Sequence, residues 1–498
     1  MGLEAVTVTV EVDISTQSLP SFTIVGLPDK AVDESRERVR SAIKNSGAEF
    51  PDHRITVNLA PADLPKVGPS YDLPIAVGML IASGQLAPLK ETAVFVGELS
   101  LDGSLRHTNG ILPLVMMAKD TLHATRIYVP LEDAKEAAII HGIHVIPVPS
   151  LLGLYHHLTG SAVLSPQPPV RFTTLGVPQG FELDFADVAG QEQVKRALEI
   201  SAAGGHNIFM QGPPGAGKTM LARCLPSILP VMTEREALEV TKIYSVTGNL
   251  PAGESVIKYR PFRAPHHTTS RIGLIGGGTH PTPGEISLAH RGVLFLDEFP
   301  EYPRNVLEAL RQPIEDGVVT ISRAIGSVRY PAKFMLVAAA NPCPCGNFRS
   351  TTKACTCLPG MVSRYQKRIS GPIMDRIDIH VHVPSVATEK LTSAIRSEAS
   401  CVVRNRVQRA RDRQLSRFTN ARISSNAEMS TRQVKEFCIL SIEVGEFMRQ
   451  AVGRFSLSAR SYYRVIKFSQ TIADLSKEKS ISVSCNSESL HYSTTEQN

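Results

Sequence analysis

The stretch His206–Leu225, HNIFMQGPPGAGKTMLARCL, decides the fold of the largest part of this chain. An apolar strand is followed by the loop Gly212-Pro213-Pro214-Gly215-Ala216-Gly217-Lys218-Thr219 and then by a helical pattern. This is the phosphate-binding pattern G-x-x-x-x-G-K-[ST] with the strand and helix that it requires. Its glycines let backbone N–H groups converge on phosphates at a helix N-terminus. A glycine-rich turn that merely joins a strand to a helix is the alternative.

The loop predicts a site for ATP and magnesium in an α/β fold. We expect Lys218 to pair with the β- and γ-phosphates and the Thr219 hydroxyl to ligate magnesium. Such a site needs a second, acidic strand, and residues 292–298 (GVLFLDE) supply one. Its two carboxylates lie at the C-terminal end, where ligands bind in open α/β sheets. Asp297 is predicted to hold the magnesium, directly or through water, and Glu298 to polarise the attacking water. Any strand end can be acidic, which is the alternative.

A third strand, KFMLVAAAN over residues 333–341, ends at Asn341. We expect its side chain to hold the lytic water or to sense the γ-phosphate. A turn-capping asparagine is the alternative, and the residue alone does not decide between the two.

Length and composition bound the rest of the molecule. The chain has 498 residues, 42% hydrophobic and 20% charged, which is a soluble globular composition with room for about two to four domains. A net charge of +6 and a pI near 8.8 permit a nucleic-acid partner without arguing strongly for one. The first residues show no signal-peptide pattern, and the apolar run at 73–84 is too short to cross a bilayer. We expect a cytoplasmic protein without membrane contact.

Periodicity predicts a separate α/β domain before the phosphate loop. Residues 5–14 alternate apolar and polar side chains as a half-buried strand does, and a helical pattern stops at Gly47. A buried helix is predicted near 73–84, with strands at 54–61, 93–97, 127–130 and 144–148. The Pro-rich segment after residue 163 breaks this periodicity. The predicted domains are therefore 1–163, a linker at 164–180, an ATPase α/β domain at 181–384 and a polar helical region at 385–498.

Four cysteines are paired as C-P-C and C-T-C in the segment that follows Asn341. Clustered cysteines in a cytoplasmic protein favour metal or redox chemistry. Four thiolates on a short loop suit tetrahedral zinc, although the C-x-C spacing is narrower than usual. We expect a structural zinc ion; free buried thiols and a redox pair are the alternatives. The ligands would be Cys343, Cys345, Cys355 and Cys357.

At this point the chain resembles a known group. The phosphate loop, LFLDEF, AAANP and GPIMDRIDIHVHV follow one another in the order seen in AAA+ ATPases. APHHTTS and PGEISLAHRGVLFLDE resemble the magnesium-chelatase branch. SFTIVGLPDKAVDESRERVRSAIKNSG and ITVNLAPADLPKVGPSYDLPIA resemble the YifB/ComM family, over nearly the whole chain. Compared with that family, we expect the N-terminal domain to lack a short leading strand.

The resemblance implies a ring, commonly a hexamer, with ATP bound between subunits. Arg376, in the D-R-I-D motif, would then be the arginine finger that acts on a neighbour's nucleotide. Arg460 matches the second-sensor position on the helical lid. An ordinary ion pair is the alternative for either arginine, and Arg364 and Arg368 compete for these roles.

The front domain resembles the Lon-protease-like α+β fold. Ser70 falls where that family keeps its nucleophile, and such a serine needs a lysine base. The approximate matching position holds Leu112, and Lys119 lies well past it. We therefore expect a non-proteolytic domain that serves assembly or substrate handling.

Three segments are candidates for DNA contact. Residues 261–292 fit the insertion that this AAA+ branch carries, which can point into the ring pore. Residues 317–334 predict a β-hairpin from which Arg323 and Arg329 could meet phosphates. Six arginines in 404–417 form a possible nucleic-acid stripe, although such a run is more often a solvated or subunit-facing helix.

The resemblance points to a helicase that drives branch migration as transforming DNA is integrated. The residues alone indicate ATP hydrolysis and not what it moves. One rival is the motor subunit of a metal chelatase, which drives magnesium into a porphyrin. The other is a nucleotide-dependent assembly or regulatory module that acts on a protein partner.

Overall fold

The computed structural model describes residues 2–16, 19–170, 181–251, 253–278, 281–323, 326–349, 353–386, 397–419 and 423–493. These divide into two units, Met1–Gly176 with Ala237–Ile257, and Val177–Glu236 with Lys258–Asn498. The structure thus groups 237–257 with the front unit, whereas the sequence analysis placed them in the ATPase domain. Residues 171–180 of the expected linker lie outside the described residues.

The first unit contains three small sheets and the helices that pack on them. Its elements are β1 (Thr9–Ser15), β2 (Ser21–Val25), α1 (Lys30–Asn45), β3 (Arg54–Ala60), α2 (Asp72–Ala82), β4 (Ala93–Phe95), β5 (Glu98–Leu99), β6 (Leu105–Arg106), α3 (Ile111–Asp120), β7 (Arg126–Pro130), α4 (Ala134–Ala137), β8 (His144–Val148) and α5 (Leu151–Thr159). The strand orders are β1-β3-β2, β4-β7-β8 and β5-β6.

The alternating residues of the first strand form a half-buried strand, as predicted. Val10, Val12 and Ile14 of β1 pack against the buried side of α2, which contributes Leu73, Ile75, Ala76 and Met79 to the core. Asp29 caps α1 by accepting a hydrogen bond from the Val32 N–H at 2.8 Å. The predicted strands and the buried helix are confirmed, whereas the Lon-like assignment stays a prediction.

The first unit presents no Ser–Lys pair at the position expected from the Lon-like resemblance. Ser70 lies in a single 3₁₀ turn, Pro69–Tyr71. Leu112, where a base was sought, is fully buried in α3, and its N–H donates to Glu136. The expectation of a non-proteolytic domain stays a prediction.

The second unit is an AAA+ module built on a parallel sheet. Its elements, with α8 shared between the units, are α6 (Glu192–Gly204), β9 (Ile208–Gln211), α7 (Lys218–Cys224), α8 (Glu234–Thr247), β10 (Phe262–Arg263), α9 (Arg271–Ile275), β11 (Gly276–Gly277), β12 (Thr282–Pro283), α10 (Glu285–Leu288), β13 (Val293–Leu296), α11 (Arg304–Ala309), α12 (Arg311–Asp316), β14 (Val318–Arg323), β15 (Gly326–Pro331), β16 (Met335–Ala340), α13 (Pro359–Gln366), α14 (Gly371–Met374), β17 (Ile379–His382), α15 (Ser400–Arg417), α16 (Thr431–Phe437), α17 (Ile442–Phe455), α18 (Ala459–Ser476) and α19 (Val483–Ser493).

The five-stranded sheet has the order β10-β13-β16-β9-β17, and each neighbouring pair is parallel. Every residue of β13 and β16 is buried, as expected for inner strands that are covered on both faces. One apolar core joins this sheet to helices α15–α19. Because the strands are parallel, the sheet has a carboxyl edge, where β9, β13 and β16 end, and an amino edge, where β9, β16 and β17 begin.

Candidate nucleotide site and its surroundings

The phosphate loop follows β9 at the carboxyl edge. Gly217 precedes the first residue of α7 with φ +89°, a left-handed conformation that a side chain disfavours. The loop thereby turns directly into the N-terminus of α7, as the sequence pattern predicts.

Lys218 and Asn341 meet at this edge. The ammonium of Lys218 donates to the carbonyl oxygens of Gly212 and Pro213 at 2.7 and 2.8 Å, and to Asn341 Oδ1 at 3.1 Å. Only 8% of Lys218 is exposed, and burial lowers its pKa. All three acceptors are neutral, so the cation has no carboxylate partner among these bonds. An anionic phosphate is the group that such a buried cation favours.

Thr219 and Asp297 also lie together. The Thr219 hydroxyl donates to Asp297 Oδ2 at 2.6 Å, and the Glu298 N–H donates to Asp297 Oδ1 at 2.9 Å. Glu298 has φ 50°, so the backbone turns sharply where β13 ends. A hydroxyl and a carboxylate in contact form an oxygen pair of the kind that magnesium prefers.

One residue at this edge was missed by the sequence analysis. His267 Nδ1 lies 3.3 Å from Glu298 Oε2, and the His267 ring meets the edge of the Tyr302 ring at 6.5 Å. Tyr302 in turn donates to the Pro265 carbonyl at 2.6 Å. The signal was present in the motif APHHTTS, because this motif follows β10, the neighbour of β13 in the sheet. A polar side chain there emerges beside the acid pair.

The two predicted arginines lie at the amino edge. Arg376 Nη2 contacts one oxygen of Glu315 at 2.6 Å, and Arg460 contacts the other oxygen of the same carboxylate. Arg376 precedes β17, and its carbonyl accepts from Asn207, which precedes β9. A four-residue strand spans about 13 Å. The phosphate loop and Arg376 therefore lie at opposite ends of the strands, and the structure brings the two arginines to each other and not to Lys218.

A cavity of about 820 Å³ opens at the amino edge, between the sheet and the C-terminal helices. Its lining includes Arg376, Arg460 and Glu315, together with Lys333 and Asp378. Burial and the nearby Arg311 lower the pKa of Arg376. The cavity places two cations and their shared carboxylate in a cleft that is open to another molecule.

Buried ion pairs support the wall of this cavity. Glu236 is 2% exposed and accepts from Arg260 at 2.8 Å, while Glu428 pairs with Arg291 at 3.2 Å and with Lys333 at 2.8 Å. Burial opposes ionisation of Glu236, but Arg260 and then Arg411 lower its pKa to about 2. Removing one partner from such a network leaves a buried charge uncompensated.

The four predicted cysteines form one cluster. Their sulfur atoms all lie within 4.8 Å of one another, and Sγ–Sγ distances of 3.4, 3.8 and 3.6 Å join Cys343, Cys345 and Cys355. Zn–S bonds of about 2.3 Å in a tetrahedron separate the sulfurs by about 3.8 Å. The Cys345 N–H donates to Cys357 Sγ and the Phe348 N–H to Cys343 Sγ. This donor set fits a tetrahedral metal ion.

The expected hairpin is present as β14 and β15, paired antiparallel with Ser322 opposite Ser327. The buried Tyr330 donates to the Pro281 carbonyl at 2.6 Å, which joins this hairpin to the smaller β11–β12 hairpin of the predicted insertion. Arg329 is exposed, whereas the side chain of Arg323 and both hairpin tips lie outside the described residues. The two hairpins of these candidate DNA-contacting segments are therefore in direct contact.

The arginine stripe of α15 is largely engaged within the chain. Arg406 pairs with Glu199 and Glu398, and Arg417 with Asp474. Arg411 is buried and donates to backbone carbonyls. These three arginines are therefore engaged inside the chain, and the nucleic-acid stripe stays a prediction. Arg368, a competitor for the finger role, pairs instead with Glu301 at 2.6 Å.

Comparison with known proteins agrees with this architecture. The chain is 43% identical to the competence protein ComM of Haemophilus influenzae, over 97% of this chain and 93% of that one. It is also 43% identical to the uncharacterized protein YifB of Escherichia coli, over 95% and 92% of the two chains. The chain belongs to the ComM/YifB family of magnesium-chelatase-like AAA+ proteins.

Three family models match separate stretches of the chain. Those described as magnesium chelatase subunit ChlI, subunit ChlI of Mg-chelatase and the ChlI C-terminal region match residues 184–391, 10–133 and 397–493. Similarity to a true chelatase subunit is weaker. The magnesium-chelatase 38 kDa subunit of Cereibacter sphaeroides is 25% identical over 32% of this chain and 52% of that protein. No helix in the described part of the chain is long and apolar enough to cross a membrane.

Proposed function

We propose that this protein hydrolyses ATP with magnesium and uses the energy to remodel DNA. The observation that carries the ATPase proposal is the convergence at the carboxyl edge of Lys218 with Asn341 and of Thr219 with Asp297. The loop and Lys218 bind the triphosphate, while Thr219 and Asp297 hold magnesium. A magnesium ion held by these two residues would supply positive charge to offset the charge that develops during phosphoryl transfer.

Glu298 is the proposed base. Its position next to Asp297 places a carboxylate beside the magnesium ligands, and His267 holds that carboxylate at 3.3 Å. In this account Glu298 orients the attacking water and accepts its proton. His267 packs against the rings of His266 and Tyr302 and reaches the acid pair through Glu298, so in this account it acts as a positioning residue.

The proposed assembly is a ring of identical subunits, in which Arg376 and Arg460 act on a neighbour's nucleotide. Two facts support it: Arg376 lies at the edge opposite its own phosphate loop, and both arginines line an open cavity. A charge at Arg376 would stabilise the transferred phosphoryl group of the adjacent subunit. We propose a hexamer, as is common for such rings.

DNA is the proposed substrate, and branch migration during natural transformation or recombination is the proposed task. The support is the similarity to a competence protein and the joined hairpins that carry Arg323 and Arg329. The descriptions of the matching families favour a second candidate, the motor subunit of a metal chelatase. The extent of similarity argues against it, because the chelatase subunit matches only a third of the chain.

Steady-state ATP turnover at low salt, with and without single-stranded and forked DNA, tests this proposal, and Lys218→Ala serves as the blank. We expect DNA to stimulate turnover in a salt-sensitive way. Arg329→Ala should reduce the slope of log DNA affinity against log salt concentration by about 1. If DNA does not change the turnover, the helicase proposal is wrong. The chelatase motor subunit or a module that acts on a protein partner would then be favoured.

Zinc is the proposed occupant of the four-cysteine cluster, because all four donors are sulfur and the spacing is tetrahedral. Elemental analysis of the purified protein should find about one zinc per chain. If the purified protein contains no metal and added zinc does not change its melting curve, this assignment is wrong.

A further inference from the structure

The cysteine cluster begins directly beside the phosphate site. Cys343 lies two residues after Asn341, whose side chain accepts from Lys218 at 3.1 Å. Asn341 itself follows the last residue of β16. The chain therefore runs from the buried sheet, past the Lys218 contact, straight into the cluster.

A second contact returns from the cluster to the phosphate loop. Gly346 has φ +79°, and a Cβ atom placed on it would meet Pro214 Cδ at 2.3 Å and Cγ at 2.5 Å. The backbone at Gly346 thus lies against the ring of Pro214, inside the phosphate loop. Glycine is needed here both for its conformation and for this close approach.

The turn that carries Gly346 is held by the cluster on both sides. The Cys345 N–H donates to Cys357 Sγ, and the Phe348 N–H donates to Cys343 Sγ. The Gly346 N–H donates to the Cys343 carbonyl at 2.9 Å. The position of Gly346 against Pro214 is therefore fixed by the same sulfur atoms that a metal would gather.

We propose that the metal-loaded cysteine cluster positions the phosphate loop, so that nucleotide affinity depends on the bound metal. This inference rests on the proposed nucleotide and zinc sites and adds a coupling between them. The cluster holds Gly346, Gly346 supports Pro214, and the loop keeps the shape that its N–H groups need to meet phosphates. Loss of the metal releases four sulfur atoms at once and with them the turn.

The experiment measures the Kd of a fluorescent ATP analogue on the full chain, as purified, after zinc removal and after zinc is restored. The chelator is removed by desalting before magnesium is added, and zinc is counted in each sample. Zinc removal should weaken binding about tenfold or more, because a loop that is no longer held in its binding conformation must be ordered when the nucleotide binds. Restored zinc should recover the original Kd.

Gly346→Ala tests the contact without touching a cysteine. It should retain its zinc and bind the analogue about tenfold more weakly, because the new methyl group pushes on Pro214. Gly360→Ala is the matched control, since a Cβ there meets nothing within 4 Å, and its Kd should be unchanged. Pro214→Ala removes the ring carbons that the new methyl group would meet. In a Pro214→Ala background, Gly346→Ala should therefore raise the Kd by a smaller factor than it does in the wild type. The double variant also provides a test if Gly346→Ala alone folds poorly.

The outcomes separate this coupling from the nucleotide site itself. If zinc-free protein and Gly346→Ala bind the analogue as tightly as the wild type, the coupling is wrong while the ATP site stands. The coupling would also be wrong if Gly346→Ala raised the Kd by the same factor in the wild-type and the Pro214→Ala backgrounds. If Lys218→Ala binds as tightly as the wild type, the proposed nucleotide site fails instead.

Discussion

The two edges of the parallel sheet differ in how complete they are within one chain. At the carboxyl edge, Lys218, Thr219, Asp297 and Asn341 contact one another in pairs. At the amino edge, Arg376 and Arg460 share Glu315 beside an open cavity. The first edge has groups of the kind that bind a triphosphate, whereas the two arginines at the second edge share one carboxylate of their own chain. This difference is the basis of the proposal that one edge binds nucleotide and the other acts on a nucleotide held by a neighbouring subunit.

The largest expected effect comes from Lys218→Ala. The variant lacks the buried ammonium that we propose to face the phosphates, so nucleotide binding should fall below detection in calorimetry. Lys367→Ala removes an exposed cation of the same unit and should bind as the wild type does. If Lys218→Ala still binds nucleotide tightly, the proposed nucleotide site at the carboxyl edge is wrong.

Glu298→Gln separates binding from chemistry at the same edge. The variant keeps the shape of the side chain but not its basicity, so it should bind ATP normally while turnover falls by about 10²–10⁴-fold. Single-turnover hydrolysis is the measurement. A rate near that of the wild type would move the base away from Glu298.

His267→Ala should have a smaller effect, because His267 only positions Glu298. We expect turnover to fall by about tenfold, with no change in the Kd for nucleotide. His266→Ala is the matched control, since His266 hydrogen-bonds Thr268 and not the acid pair. Equal losses in the two variants would show that the His267–Glu298 contact has no separate role.

The smallest effect concerns the wall of the amino-edge cavity. The folded-state pKa of Glu236 is lowered to about 2, so its ion pairs stabilise the fold above the ordinary glutamate pKa. That stabilisation is lost as pH falls toward 2, and it amounts to roughly 3 kcal/mol at neutral pH. The free energy of unfolding of Glu236→Gln should therefore be lower at pH 7, and the difference should shrink in acid.

Glu234→Gln is the control for that experiment, because Glu234 is exposed in the same first turn of α8. Denaturant midpoints at several pH values give the comparison. A pH-independent difference between the wild type and Glu236→Gln would contradict a charged Glu236.

Local sequence patterns predicted the residues of the carboxyl edge, whereas most contacts of the amino edge could not be predicted from them. The phosphate loop, the Asp297–Glu298 pair and Asn341 each end a strand, and strand ends in a parallel sheet share an edge. The cysteine cluster was also predictable, because its four ligands lie within one short segment. Each of these features is contained in contiguous sequence.

The rest depends on contacts between distant parts of the chain. Glu315 precedes Arg376 by 61 positions, and no periodicity links it to either arginine. His267 reaches Glu298 only because β10 lies beside β13. Helix α8 begins in one unit and ends in the other, which hydrophobic patterning does not indicate. Tertiary packing decides all three.

Mixing two inactive variants tests the difference between the edges most directly. Lys218→Ala keeps its arginines, and Arg376→Ala keeps its phosphate site, so neither should hydrolyse ATP alone. In an equal mixture, ATP turnover should recover to about a quarter of the wild-type rate, the share of interfaces that pair an intact site with an intact arginine. A mixture as inactive as its components, despite exchange of subunits, would contradict the assignment of the amino edge to a neighbour's nucleotide.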